Sequence, residues 1–130
     1  MDPTIGFLSF LALTVLLLVC VVITGMRGRL ALHLPLVAAS VASLGGAIAY
    51  ALQLGELYDL ESAGWITPVH LTLAKVATGA YLLPLVTGIA TLRDRSCRGR
   101  HRIAAGVALA LTVLATVTGA WMLLAAERLA

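Results

Sequence analysis

Charged side chains are what this sequence has least of. Of its 130 residues only 12% are charged and 61% are hydrophobic, whereas a soluble domain has about 25% charged residues. It holds two cysteines and no CxxC pair. These shortages exclude a disordered tail, a nucleic-acid-binding module and a disulfide-stapled secreted fold. What remains is a chain dissolved in lipid.

The sequence also lacks the motifs of common catalysts. It has no carboxylate pair inside an apolar run, no Ser/His/Asp set and no glycine-rich phosphate loop. No loop is long enough to form a large active site outside the membrane. No acidic residue lies at mid-membrane, where an ion-coupled transporter would need one. We therefore expect a protein that is not an enzyme.

Four long apolar runs are present, and each exceeds the roughly 20 helical residues that cross a bilayer. Backbone polar groups in lipid must pair within their own segment, so the runs should be helices. Short connections then predict an all-α, antiparallel bundle of four transmembrane helices, which forms a single integral membrane domain over residues 1–130. The predicted helices cover residues 5–26, 30–54, 66–92 and 103–125.

Three prolines refine these helices. Pro35 and Pro68 lie near the starts of the second and third spans, where a missing N–H has little effect. Pro84 lies deep in the third span and should kink it.

Arginine sets the expected orientation. Seven arginines fall on one side of the predicted bundle, namely Arg27, Arg29, Arg93, Arg95, Arg98, Arg100 and Arg102, and Arg128 alone falls on the other. The positive-inside rule makes the arginine-rich side cytoplasmic and places both termini on the outer side. The net charge of +3 therefore reports topology, with the bilayer as the partner and no role in binding nucleic acid.

Small residues recur at four-residue spacing in two of the spans. The second span has Ala38, Ala42 and Gly46, and the fourth has Ala104 and Ala108. Such spacing lets helices approach closely. It is equally compatible with room for a flat cofactor between helices.

Three histidines form two layers. His33 and His101 open the second and fourth spans at similar predicted depth, so two helices could hold one haem iron or another metal between them. His70 opens the third span on the other side, with Tyr50, Gln53 and Met122 as secondary candidates near it. A histidine with a purely structural or interfacial role is the alternative at each position.

Lys75 is the one charge well inside a span. It must snorkel to the interface, lose its proton or find an acceptor. A hydroxyl, a haem propionate or a carboxylate of a partner subunit could be that acceptor.

Three segments resemble the CtaM/YozB-like family of small four-helix membrane proteins linked to cytochrome c oxidase maturation. They are HLPLVAASVASLGGAIAYALQLG, VHLTLAKVATGAYLLPLVTGIATLR and HRIAAGVALALTVLATVTGAWML, which span about residues 30–124. Matching positions are His33, Tyr50, His70, Pro84, His101 and Thr118-Gly119. Gln53 stands on or near the place where the family has a further histidine. The layered histidines also resemble the cytochrome b561-like architecture.

The resemblance implies a multi-pass protein of the bacterial plasma (inner) membrane. It would be a haem- or metal-binding accessory or maturation protein of an aerobic respiratory system, and bound haem b would allow it to transfer electrons. The expected ligands are His33 and His101, with His70 as a further candidate. The rival hypothesis is a non-catalytic structural subunit of a larger membrane complex, or a homo-oligomer, whose histidines are incidental.

Overall fold

The computed structural model describes residues 2–129 and is built almost wholly of helix. Four helices among these residues are long and apolar enough to cross a membrane, which confirms the all-α class with four spans. The third span, Ile66–Arg93, consists of two consecutive helices. The helices are α1 (Pro3–Met26), α2 (Leu30–Gly55), α3 (Ile66–Ala80), α4 (Leu82–Arg93) and α5 (Arg98–Ala125).

Two short strands complete the secondary structure. Strand β1 (Tyr58–Asp59) pairs with β2 (Glu127–Arg128) in a two-stranded sheet. Turns of 3-10 helix cover Leu60–Ala63 and Arg95–Cys97. Backbone contacts group the chain into two compact units, one ending at Tyr58 and the other beginning at Asp59.

Observed helix ends differ from the predicted ones where helical hydrogen bonding continues beyond the apolar run. The last helix begins at Arg98, not at residue 103, because arginine is a good helix former and a helix can continue beyond the hydrocarbon. The second begins at Leu30, as predicted, and Pro35 lies inside it, beyond the first turn. The end of an apolar run marks the edge of the membrane, but the backbone hydrogen bonds of the helix can continue beyond it.

Pro84 interrupts the third span, as predicted. Proline has no N–H to give to the carbonyl of Ala80, four residues earlier. The helix breaks at Tyr81, whose N–H donates to the carbonyl of Thr78 at 3.3 Å. The Tyr81 hydroxyl lies 3.0 Å from Thr112 Oγ1 and so ties the break to α5.

The first unit is a hairpin of α1 and α2 joined by a tight turn at Gly28, whose φ of +68° favours glycine. Each helix places an aromatic ring over a glycine of the other helix. A Cβ added at Gly46 would lie 2.6 Å from Phe10 Cδ1, and one added at Gly6 would lie 2.5 Å from Tyr50 Cδ1. The Phe10 and Tyr50 rings stack with centroids 5.7 Å apart.

A hydroxyl pair lies deeper in the same hairpin. Thr14 Oγ1 donates to Ser43 Oγ at 2.9 Å, and both side chains are buried. Hydrogen bonds between helices in lipid stabilise by about 0.6 kcal/mol on average. Hydroxyls and glycines, more than large apolar side chains, therefore hold this hairpin together.

In the second unit α3 and α4 pack along α5. Its buried positions include alanines from both sides of the contact: Ala77, Ala80, Ala104 and Ala108. Alanine at four-residue spacing lets the helix backbones come close, which supports the packing interpretation of the spacing in the fourth span. At one end Trp65 and Trp121 meet edge to face, with centroids 5.2 Å apart.

The turn before α5 is organised by Asp94. Its carboxylate accepts from the Ser96 N–H at 2.9 Å and from the Ser96 hydroxyl at 2.7 Å. The Cys97 N–H donates to the carbonyl of Asp94 at 3.1 Å, so the chain turns within a few residues. This turn fixes where α5 begins and hence the position of His101.

The first prediction compares two adjacent glycines of α2. Gly46→Ala should lower the free energy of unfolding by about 1–3 kcal/mol, because the stacked Phe10 ring must move. Gly45→Ala is the control, because a Cβ there would meet nothing within 4 Å. Unfolding in mixed micelles measures both. Equal effects of the two substitutions would contradict the described packing.

The second prediction concerns the Asp94 carboxyl. The Ser96 hydroxyl, followed by the Ser96 N–H, holds the pKa of Asp94 below the usual 3.8. A lowered folded-state pKa means that the stabilisation is present above the unfolded pKa and is lost as pH falls through the folded one. Ser96→Ala should raise the Asp94 pKa in a carbon-13 NMR titration. An unchanged midpoint would refute the role of the hydroxyl.

Candidate functional site

His33 lies in the first turn of α2 and contacts the last turns of α1. Its Nδ1 is 3.0 Å from the carbonyl oxygen of Val21 and 3.3 Å from Thr24 Oγ1. Because a carbonyl can only accept, Nδ1 carries the proton. A Cβ added at Gly25 would lie 3.0 Å from His33 Cε1, so glycine leaves room for the ring.

His70 repeats this arrangement in the second unit. It lies near the start of α3, and its Nδ1 is 3.1 Å from Thr118 Oγ1 on α5. The ring also hydrogen-bonds to the backbone of Ala115, three residues before the threonine. A Cβ added at Gly119 would lie 2.8 Å from His70 Cε1.

His101 gives the third case. It lies in the first turn of α5, and its Nδ1 is 3.3 Å from Thr87 Oγ1 on α4. A Cβ added at Gly88 would lie 3.3 Å from His101 Cε1. Each histidine thus lies against a Thr-Gly dipeptide of a neighbouring helix. We call this arrangement the Thr-Gly/His contact.

The threonine hydroxyls fix the direction of these hydrogen bonds. Each donates its proton to the carbonyl four residues earlier on its own helix, at 2.8 Å for Thr24, 2.8 Å for Thr118 and 2.7 Å for Thr87. A hydroxyl has one proton, so a threonine that donates to the carbonyl of its own helix accepts from the imidazole. In the neutral ring Nδ1 is then protonated and Nε2 carries the lone pair.

This tautomer is the one that suits ligation through Nε2. A histidine that binds a metal commonly donates its other ring N–H to a protein acceptor, which orients the ring and raises its basicity. Here the threonine is that acceptor and the glycine sets the distance between ring and helix. The arrangement can hold an imidazole rigidly at a helix start, half-buried, with a defined basic nitrogen.

The predicted candidates divide between the two units. His33, Tyr50 and Gln53 belong to the first unit, where Tyr50 stacks on Phe10 and Gln53 is exposed. His70, Lys75, His101 and Met122 belong to the second, where Met122 is buried. The hydrogen-bond partners that the structure gives to His70 are Thr118 and the backbone of Ala115.

His70 and His101 lie far apart within their unit. His101 is in the first turn of α5, whereas His70 contacts Thr118 of the same helix, about 26 Å further along its axis. One small ligand cannot join both rings. This agrees with the expectation that they belong to different layers.

Sequence reasoning missed two of the three dipeptides. Thr118-Gly119 was noted only through the family resemblance, and Thr24-Gly25 and Thr87-Gly88 were not singled out. The signal was available, because Thr-Gly occurs four times in the chain, each time within an apolar run. The sequence does not show which histidine contacts which dipeptide, because His70 and Thr118 are 48 residues apart.

Lys75 lies in the middle of α3 with its side chain exposed. Within residues 2–129 the structure gives its ammonium neither a hydrogen bond nor an ion pair. A lysine at the centre of a transmembrane helix costs about 2.5–3.5 kcal/mol on insertion scales. At such a position a lysine must snorkel to the interface, lose its proton or find an acceptor.

Among the described residues no group of three or more His, Cys, Asp or Glu side chains is placed to hold a metal ion. A metal bound only by a protein cage is thus unsupported there. Haem differs, because the porphyrin supplies four ligands and the protein adds only axial ones. No family model, curated protein or solved structure matches the chain.

The third prediction tests the hydrogen bond to His70. Thr118→Val removes the acceptor and should lower the free energy of unfolding by about 1 kcal/mol. Nitrogen-15 NMR of labelled histidine should show Nδ1–H as the His70 tautomer, less populated in the variant. Thr118→Ser should restore it. Thr116→Val is the control, because that hydroxyl bonds only within its helix, and an equal change there would contradict the assignment.

Proposed function

We propose that this chain is an integral membrane protein that binds haem b, or another metal, through histidine. Its role would be that of a redox accessory or maturation protein of an aerobic respiratory system, without catalysis of its own. The observation that carries the proposal is the Thr-Gly/His contact, which recurs three times with the same ring nitrogen engaged.

The chemistry of the donor set fits haem iron. Neutral imidazole is a common axial ligand, and each Nδ1–H already has an acceptor. His33 and His101 are the proposed ligands, with His70 as a further candidate. When bound, haem would supply one-electron redox chemistry, and the residues of this chain would orient the axial nitrogens and exclude water.

The surroundings of the histidines support the same assignment. The spans are apolar, and the described parts of α3, α4 and α5 approach through alanine and glycine. An apolar setting and hydrogen bonds to the ligating imidazoles are means by which proteins tune bound haem. The link to cytochrome oxidase and to the bacterial inner membrane, with the arginine-rich loops cytoplasmic, rests on the family resemblance and on the arginine distribution.

A second candidate, from another class, is a structural subunit of a larger membrane complex. It is favoured by Lys75, which has neither a hydrogen bond nor an ion pair within residues 2–129, and by the fact that each histidine already joins two helices. In that case the imidazoles would act only as interhelical hydrogen-bond donors. The two candidates differ in a measurable way, because only the first requires a bound chromophore or metal.

The fourth prediction decides between them. The purified full chain should show a Soret band that shifts on reduction with dithionite, or bound metal by elemental analysis. His33→Ala combined with His101→Ala should abolish it, whereas Thr116→Val should leave it unchanged. Thr87→Val should weaken binding by about 10–100-fold through the His101 ring.

Absence of both haem and metal from the wild-type protein, together with no binding of added haemin, would refute the proposal. It would favour the structural subunit, in which the histidine variants lower stability alone. Apo-protein titrated with haemin is the second measurement, because it distinguishes a chain that lost haem during purification from one that does not bind it.

A further inference from the structure

One face of α3 lies opposite its contact with α5. Ala77, Ala80 and His70 are on the side towards α5, where His70 meets Thr118. The other side exposes Thr72, Lys75, Val76 and Gly79. Thr72 and Val76 are four residues apart, as are Lys75 and Gly79, so the four residues form a continuous stripe, which we call the Lys75 face.

The Lys75 face includes the glycine of the fourth Thr-Gly dipeptide. Thr78 donates to the carbonyl of Ala74, as the other three threonines do to theirs. In the described chain no side chain lies over Gly79, and a Cβ added there would meet nothing within 4 Å. The same dipeptide that receives an imidazole at three places is therefore open here, one turn from Lys75.

The charge of Lys75 identifies what can cover this face. The six acidic residues are Asp2, Glu56, Asp59, Glu61, Asp94 and Glu127. All of them lie at helix ends or in connections, so none of the four spans contains a carboxylate. Neither the rest of this chain nor a second copy can offer an acid at the depth of Lys75.

The depth of Lys75 argues against a lipid phosphate as its partner. Lys75 lies about 14 Å along the axis from the start of α3. A lysine stem is shorter than this distance, so snorkelling leaves the ammonium below the headgroups. A carboxylate on a neighbouring transmembrane helix reaches it at its own level.

We propose that the Lys75 face binds a transmembrane helix of a different membrane protein, which carries an aspartate or glutamate opposite Lys75. Gly79 lets the partner's backbone approach to small-residue distance, and the ammonium pairs with the carboxylate away from water. The proposal stands independently of haem binding, because it uses none of the three histidines.

Site-specific photo-cross-linking in native membranes tests this. A benzophenone amino acid replaces Val76 in the full chain, and the matched control replaces Val117 of α5, since the two side chains are 52% and 59% exposed. The Val76 probe should cross-link to another polypeptide in a membrane span that contains Asp or Glu, and the Val117 probe should not. Lys75→Met should reduce the yield by at least about tenfold, and Lys75→Arg should retain it.

Charge reversal sharpens the test. Lys75→Asp should abolish the cross-link, and changing the partner's acid to lysine should restore it. Cross-links to lipid alone, to a second copy or to a span without a carboxylate would overturn the proposal. A yield unchanged by Lys75→Met would also overturn it, provided that this variant is folded by the same unfolding assay. The Soret band of the same preparations reports haem binding separately.

Discussion

A hydrocarbon interior offers no water to polar groups, and the structure depends on this constraint. Three threonine hydroxyls within the spans, those of Thr24, Thr87 and Thr118, donate to carbonyls of their own helices. Once that proton is committed, the oxygen can only accept. The hydroxyl thereby becomes a fixed acceptor for the next helix. The imidazole that donates to it is oriented by the hydrogen bond that the threonine makes within its own helix.

Glycine completes this arrangement by leaving space for the imidazole beside the hydroxyl. An imidazole can reach a hydroxyl on the next helix only if the residue beside that hydroxyl is small, and Gly25, Gly88 and Gly119 supply the space. The hairpin of α1 and α2 uses the same principle with aromatic rings, where Phe10 and Tyr50 occupy the space over glycines. Steric gaps and rings that fill them therefore set the contacts within each unit, since in lipid burial of apolar surface does not.

How much of the fold could be predicted from the sequence depends on which features are determined by neighbouring residues alone. The four spans are local, because length and apolarity alone decide them, and the break before Pro84 follows from one missing N–H. The start of α5 at Arg98 was mispredicted, because polarity and helix formation were treated as one signal.

The candidate site divides in the same way. His33, His70 and His101 stand out as ionisable residues near apolar runs, and their types suggest ligation. The partners Thr24, Thr87 and Thr118 do not stand out, because a threonine in a span is ordinary until its neighbour is known. The 48 residues between His70 and Thr118 are a tertiary fact that no spacing rule contains.

The Thr-Gly dipeptide also has a consequence for how such a protein can change. Acceptor and clearance are encoded by two adjacent codons, so a helix that has acquired them can receive a ring from any antiparallel neighbour. A new contact then requires only one further substitution, to histidine, on the facing helix. Interhelical histidines could be gained, lost or moved between helix pairs in single steps while the backbone of the spans stays the same.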